Sequence, residues 1–464
     1  MLELICKRLL LAIPTLLLVS MMVFGLQKLL PGDPLIAMAG EERDPAVIAQ
    51  LRAELNLDAP IPVQYFNWLT RALQGDLGVS LRTHEPVTQL IASKLPVTLE
   101  LSLLAMIIAL VFGISMGILA AVNKNSWVDH GANFVAISGI SIPHFWLGIL
   151  LILVFSVNLQ WLPASGYVPF SEDPVQNLRT LLLPAAVLGT GLAATLMRHT
   201  RASMIAVLKA DYIRTARAKG LLPKAVILKH AFRNALVPVI TLTTLLFGEL
   251  LGGAVLTEQV FTIPGFGKMI VDSVFNRDYA VVQGVVLIVA IGFLLLNLLA
   301  DVLYRSYQPE NARLTMAELT TQTAVPALPR AQNRVLKKFL ANKSAVIGAV
   351  VVGFFVLVAL LAPWIAPFDP VKANFLAVRK APSAMYWFGT DELGRDILSR
   401  IIWGARTSLM AGCMSVVIAV AIGVPLGLVA GYFQKMWDGV ISRFIEALLA
   451  CPFLIMAIGA WGHF

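Results

Sequence analysis

The chain has 464 residues, of which 58% are hydrophobic and only 14% charged, with a formal net charge of +9. A soluble globular domain carries about 25% charged residues, so this composition excludes one and points to an integral membrane protein. Cys6, Cys413 and Cys451 fit no disulfide or metal spacing, six histidines are scattered, and no Gly-x4-Gly-Lys-Ser/Thr loop occurs; no metal, cofactor, nucleotide or nucleic-acid site is expected.

Lys7 and Arg8 precede an apolar run from Leu9 to Leu26. A cleaved signal peptide is the rival explanation, but no small-x-small site follows, so an uncleaved first span with a cytoplasmic N-terminus is expected. Residues 30–96 form a polar excursion on the outside. Within it, ERDPAVIAQLRAELNL (42–57) predicts a surface helix capped by Asp44 with Pro45 at its first position. VQYFNWLTRALQG (63–75) predicts an interfacial one carrying Tyr65, Phe66 and Trp68. The segment is either a cap over the mouth of a pore or a spacer on the membrane surface. Five further spans follow at 97–122, 134–157, 181–205, 237–257 and 280–304, each near or above the roughly 20 residues that cross a bilayer.

Between the fourth and fifth spans lies the stretch 198–238. It holds nine Lys or Arg against a single acid, Asp211, a formal charge of 9 − 1 = +8. A loop that basic belongs on the cytoplasmic side, and the alternation of Lys and Arg is consistent through all six spans. Inside it, Asp211–Lys219 predicts a short helix stopped by Gly220. It is either a solvated loop or a docking helix, with Ala216, Ala218 and Gly220 small enough for close approach and Arg214 and Arg217 three apart.

DYIRTARAKG followed by HAFRNALVP resembles the coupling loop of ABC-importer permeases in their dipeptide, oligopeptide and nickel branch. Where the general family motif has Glu-Ala-Ala, this chain has Arg214, Thr215 and Ala216. The resemblance implies that Asp211, Arg214, Thr215, Ala216 and Gly220 meet an ATPase subunit. It also implies cytoplasmic ATPase subunits, a second permease subunit and an external solute-binding protein as partners, in a bacterial inner membrane. No covalent chemistry is expected of the chain itself.

Residues 306–343 are polar, then basic, and predict a cytoplasmic linker. A second unit then begins, with spans at 345–365, 408–432 and 440–460. An internal repeat places Gly113 on Gly423 and Gly117 on Gly427 at an offset of 310, then Asp129 on Asp438 and Pro143 on Pro452 at 309. FGTDELGRDILSRIIWGARTSL (388–409) resembles a stretch near the start of the partner permease of the same branch. The expected layout is therefore an all-α polytopic protein of about nine spans: a first permease unit at 1–305, the linker, and the N-terminal, truncated part of a second at 344–464.

Two acids stand out. Glu249 lies in an otherwise apolar span, where an ionised side chain is costly unless it faces a cavity or the bundle interior. Glu258, in TEQVFTIPGFG, lies at the outer mouth. Both are candidate pathway or gate residues, with structural roles as the alternative. An Asp391–Arg395 pair across an outer helix start is given no functional weight, and His144 is read as a packed polar group. A secondary transporter driven by an ion gradient, and a permease that does not function, are the competing readings of the whole chain.

Overall fold

The computed structural model describes residues 2–29, 52, 58–307 and 339–450. The surface helix expected at 42–57 (Arg52 apart), most of the linker at 306–343, and Cys451 and Pro452 lie outside the described residues. Among the described residues all regular elements are helices, with two single β-bridges besides. The chain divides into two compact units, Met1–Leu314 with Arg443–Phe464, and Thr315–Ser442.

In the first unit, α1 (Leu2–Leu29) runs unbroken through Pro14, which a membrane helix tolerates. Its C-terminal half carries α2 (Ile61–Leu73): Ser20 Oγ and Tyr65 Oη are 2.8 Å apart, and the Phe24 ring meets Tyr65 edge-on at 5.6 Å beside a buried Trp68. The interfacial helix thus packs on the first span. The long helices α3 (Val87–Val122) and α6 (Pro174–Leu208) form the central pair. Gly113 and Gly117 of α3 lie so close to α6 that an added Cβ would reach Ala193 O at 2.8 Å and Thr200 Cβ at 2.7 Å. Small residues let backbones approach where lipid supplies no hydrophobic drive for helices to associate.

Between α3 and α6 the chain makes α4 (Trp127–Ser141) and α5 (His144–Leu151), the latter continuing as a π-helix to Asn158. The two are bent by 101° at Ile142–Pro143, so the third span expected at 134–157 is broken. Pro143 has no N–H to give, and Ile142 before it is extended at ψ 122°. The unit continues with α7 (Asp211–Ala218), α8 (Arg233–Gly253), α9 (Val255–Val260), α10 (Phe266–Phe275) and α11 (Tyr279–Tyr307). Helix α11 packs on α1, where Val281 and Val285 share a core with Val19 and Val23, and Arg8 pairs with Asp301 at 2.7 Å.

The second unit has α12 (Lys343–Ile365), α13 (Ile397–Phe433) and the start of α14 (Lys435–Ala450). Before α13, Asp391 accepts from the N–H groups of Leu393 and Arg395 at 2.9 Å each and from Arg395 Nε at 2.8 Å, and also pairs with Arg400. Partial burial works to raise the Asp391 pKa, but these donors outweigh it and hold the carboxyl at about 2.

The repeat extends to the backbone. Helices α3 and α13 start at 87 and 397, an offset of 397 − 87 = 310. Each follows the same clasp: a left-handed glycine (Gly78 φ +88°, Gly389 φ +76°), then an antiparallel bridge (Val79 with Pro86, Thr390 with Asp396). In each, the first helical N–H donates back to that glycine's carbonyl, from Val87 at 2.9 Å and from Ile397 at 3.2 Å.

Seven described helices are long and apolar enough to cross a membrane, or eight if the bent pair is one span. That corrects the expected nine. The third span is broken at Pro143, and α14, where the ninth was expected, has only 16 residues before the described chain ends. Several spans also start earlier than expected, because Pro96 lies inside α3 and Pro174 opens α6 on an Asp173 cap.

Candidate functional site

Helix α7 is a strongly two-sided helix of eight residues. Ile213 is fully buried and Ala216 is 7% exposed, three positions apart, and both join a core with Ala121 of α3, Met204 of α6 and Val226. Asp211, Tyr212, Arg214, Thr215, Arg217, Ala218 and Lys219 are exposed. Gly220 ends the helix at φ +76° with open space around it, and its N–H donates to Arg217 O at 2.9 Å. Ala216 therefore anchors the helix to its own chain, while Ala218 and Gly220 face outward with the basic residues. Asp211 and Arg214 approach each other at 3.9 Å, both almost fully exposed, a contact that contributes little.

The platform beneath α7 is held by a pair that sequence spacing did not reveal. Arg201, near the end of α6, donates from Nε to Asp129 Oδ1 at 2.6 Å and from Nη2 to Oδ2 at 2.7 Å. Asp129 is 2% exposed and also accepts from Asn125 N at 2.9 Å and Asn133 Nδ2 at 2.8 Å. A bidentate guanidinium–carboxylate fork fixes orientation as well as distance.

At the opposite end of the unit, Glu258 is fully buried. Its Oε1 accepts from Thr98 Oγ1 at 2.5 Å, and its Oε2 accepts from Lys268 N at 2.7 Å. Thr98 Oγ1 in turn accepts from Phe266 N at 2.7 Å. The carboxylate thus satisfies the free N–H groups at the start of α10 and ties that helix to α9 and α3. Burial pushes the Glu258 pKa up, against the hydrogen bonds from Thr98, Lys268 and Gly267. Gly265 leaves room for it: an added Cβ would stand 2.4 Å from the carboxylate. Thr98 was not legible as its partner, being 160 residues away.

The remaining candidates lie apart from these two centres. Glu249 is exposed on α8, on a face that its own unit leaves uncovered, while Gly248 beside it abuts Phe293. His144 Nδ1 lies 3.3 Å from Val187 O, with its ring against Gly191 of α6. In the loop before α6, Tyr167 donates to Glu100 at 2.8 Å; burial first, and that carboxylate second, push its pKa up to about 12.

A bundle of membrane helices with a basic, outward-facing helix anchored at one end and a hydrogen-bonded loop clamp at the other defines a multi-pass transport component. Residues 1–102 match the N-terminal model, and residues 113–313 the main model, for the binding-protein-dependent transport system inner membrane component. Residues 333–382 match the N-terminal transmembrane domain of oligopeptide transport permease C.

The chain is 46% identical over 309 residues to a protein of Brucella abortus named as a peptide transport system permease, covering 67% of this chain and 98% of that one. It is 47% identical over 309 residues, with the same coverage, to a glutathione transport system permease protein of Pectobacterium atrosepticum. Among solved structures it resembles the inward-facing methionine ABC transporter at 18% identity, covering 47% of this chain and 96% of that chain, with a TM-score of 0.41, too low to carry an argument.

The chain belongs to the binding-protein-dependent transport permeases, the inner-membrane components of ABC importers, with part of a second permease fused behind the first. In such systems ATP hydrolysis belongs to separate subunits.

Proposed function

We propose that this chain imports peptides or a related small solute, such as a glutathione-like peptide or a nickel complex, as a permease subunit driven by cytoplasmic ATPases. The observation that carries the reading is the pair of relatives at 46% and 47% identity over 98% of their own lengths, named for peptide and for glutathione transport. The first permease unit spans 1–305 with its N-terminus in the cytoplasm. The linker follows at 306–343, and 344–464 is the start of the second unit.

The coupling site is the exposed face of α7. Arg214, Thr215 and Arg217 present donors and charge there, while Ile213 and Ala216 hold the helix to α3 and α6. Asp211 opens the helix and Gly220 ends it. ATP-driven closure of the ATPase pair would pull on this face, and the rigid α3–α6 pair would carry the motion outward as alternating access between discrete arrangements. Glu249 serves the pathway, because an exposed carboxylate on a membrane helix is least costly beside a water-filled path or a partner. Glu258 serves as the hinge of the outer mouth, holding α9, α10 and α3 together. A second permease subunit and an external solute-binding protein complete the assembly.

The test is reconstitution of the chain with its ATPases, partner permease and binding protein in vesicles. Peptide uptake should require ATP and survive an ionophore. Uptake that needs an ion gradient and no ATP would instead establish a secondary transporter.

A further inference from the structure

The end of α3 away from α7 borders a cavity that the coupling scheme leaves unused. It has a volume of about 360 Å³, and loop 80–83, the first turns of α3 and the face of α10 line it. That size falls within the range of small-molecule sites, roughly 300–1,000 Å³. Three cations border it: Lys94 and Lys268, both half-buried, and Arg82 at the exposed rim. Among the described residues none of the three forms an ion pair, although the Lys268 charge acts at longer range on the buried Glu258 carboxyl.

The acids nearby do not neutralise them. Asp278 is 4% exposed and its oxygens are taken, by Ser80 Oγ at 2.5 Å and by the N–H groups of Leu81 at 3.3 Å and Val281 at 3.5 Å. The Glu258 carboxylate, next to the Lys268 backbone, is committed to Thr98 and to α10. Asp272 is exposed at the rim. Lys94 has no counter-ion, and Lys268 has only the buried Glu258 carboxyl, which is already hydrogen-bonded elsewhere; such half-buried ammonium groups are costly to keep in a wall that also carries Leu90, Met269 and Val281. An anion entering the cavity offsets that cost. A lysine presents three donors on a flexible stem, suited to a carboxylate on solutes of varied shape.

We propose that this cavity is a carboxylate subsite, in which Lys94 and Lys268 receive the C-terminal carboxylate of a small peptide at the outer mouth. The inference rests on the peptide reading above, and goes beyond it by naming the residues and the group they select.

The experiment uses the full chain in nanodiscs. Acylation of individual lysines by an amine-reactive reagent is followed by mass spectrometry, with exposed Lys124 as an internal control. N-acetyl-trialanine at millimolar concentration should slow acylation of Lys94 and Lys268 about threefold, as occupancy of about two-thirds gives. Its C-terminal amide should not slow either lysine, and Lys124 should not respond to either peptide. The K268Q variant should lose the protection at Lys94. Three results would each overturn the proposal: no slowing, equal slowing by the amide, or equal slowing by inorganic phosphate. Because labelling needs no transport, its failure leaves the importer reading standing, and a failure of ATP-dependent uptake leaves the labelling result unchanged.

Discussion

Arg201 and Asp129, 72 residues apart, form a two-bond fork at 2.6 and 2.7 Å that joins the C-terminal part of α6 to the start of α4. The Arg201 side chain is 24% exposed and that of Asp129 2%. Removing one member of such a pair strands the other, at a cost of roughly 3–5 kcal/mol for a fully buried pair. Since Arg201 retains some water, R201A should cost about 3 kcal/mol, the lower end of that range. R201Q combined with D129N should lose much less than the sum of the two single changes. Thermal unfolding of the purified chain measures this, and additive losses would show that the fork contributes no interaction energy.

Glu258 is expected to make a pH-dependent contribution to stability. Burial raises its pKa above 4.5, so the folded state binds the proton more tightly than the unfolded chain does. Stability from this group is fully present below 4.5 and falls as pH rises through the raised value. E258Q should flatten that slope. It should also cost about 1–3 kcal/mol, because the amide nitrogen cannot accept one of the N–H or O–H bonds that the carboxylate now takes. Unchanged pH dependence of unfolding in E258Q would assign the slope to other groups.

Both of these ties were hidden from a linear reading, and for the same reason. Thr98 and Glu258, or Asp129 and Arg201, are ordinary polar residues until the fold brings them together, and no local spacing marks them as partners. The spans, by contrast, were legible because solvation acts on each segment by itself: apolar length and flanking Lys or Arg suffice. The break at Pro143 was missed because proline alone does not decide between a tolerated residue and a bend; α1 passes straight through Pro14 and α4–α5 turns by 101°. By size alone Ala216 suits a docking face. Its three-residue spacing from Ile213 was the available sign that it faces inward.

Helix α7 keeps its buried anchor apart from the exposed face proposed for coupling. R214E changes an exposed residue and should leave unfolding unchanged while lowering solute-stimulated ATPase activity of the assembled transporter. A216W places a large ring in a closed core and should destabilise the chain by about 1–3 kcal/mol. G220A meets no neighbour but keeps a left-handed backbone, at a cost of roughly 1–2 kcal/mol. Normal ATPase stimulation in R214E would remove the exposed face from the coupling scheme.

Sidedness is tested by single cysteines. Cys6 and Cys413 are exposed and must be replaced first, and Cys451 with them. A cysteine at Ser171 or Asn276 should react with an impermeant thiol reagent added outside intact cells, and one at Lys124 only after the membrane is opened; all three positions are exposed. The opposite pattern would invert the protein in the membrane and move the basic loop to the outer face.

The two halves of the internal repeat make the sharpest comparison. Gly117 of α3 and Gly427 of α13 sit at the same point of the repeat, 310 residues apart, yet their surroundings differ. A Cβ on Gly117 would meet Thr200 Cβ at 2.7 Å and the backbone oxygen of Met197 at 2.9 Å. A Cβ on Gly427 meets nothing within 4 Å. The backbone oxygen cannot move aside as a flexible side chain does, so G117L must push α3 and α6 apart, a distortion of about 1–3 kcal/mol or more. G427L points its new side chain into lipid or detergent, where a leucine is at home, and should leave unfolding of the isolated chain unchanged or slightly improved. Thermal unfolding of the two variants in the same detergent decides the matter. Equal destabilisation would mean that the face of α13 is covered in the isolated chain, as that of α3 is.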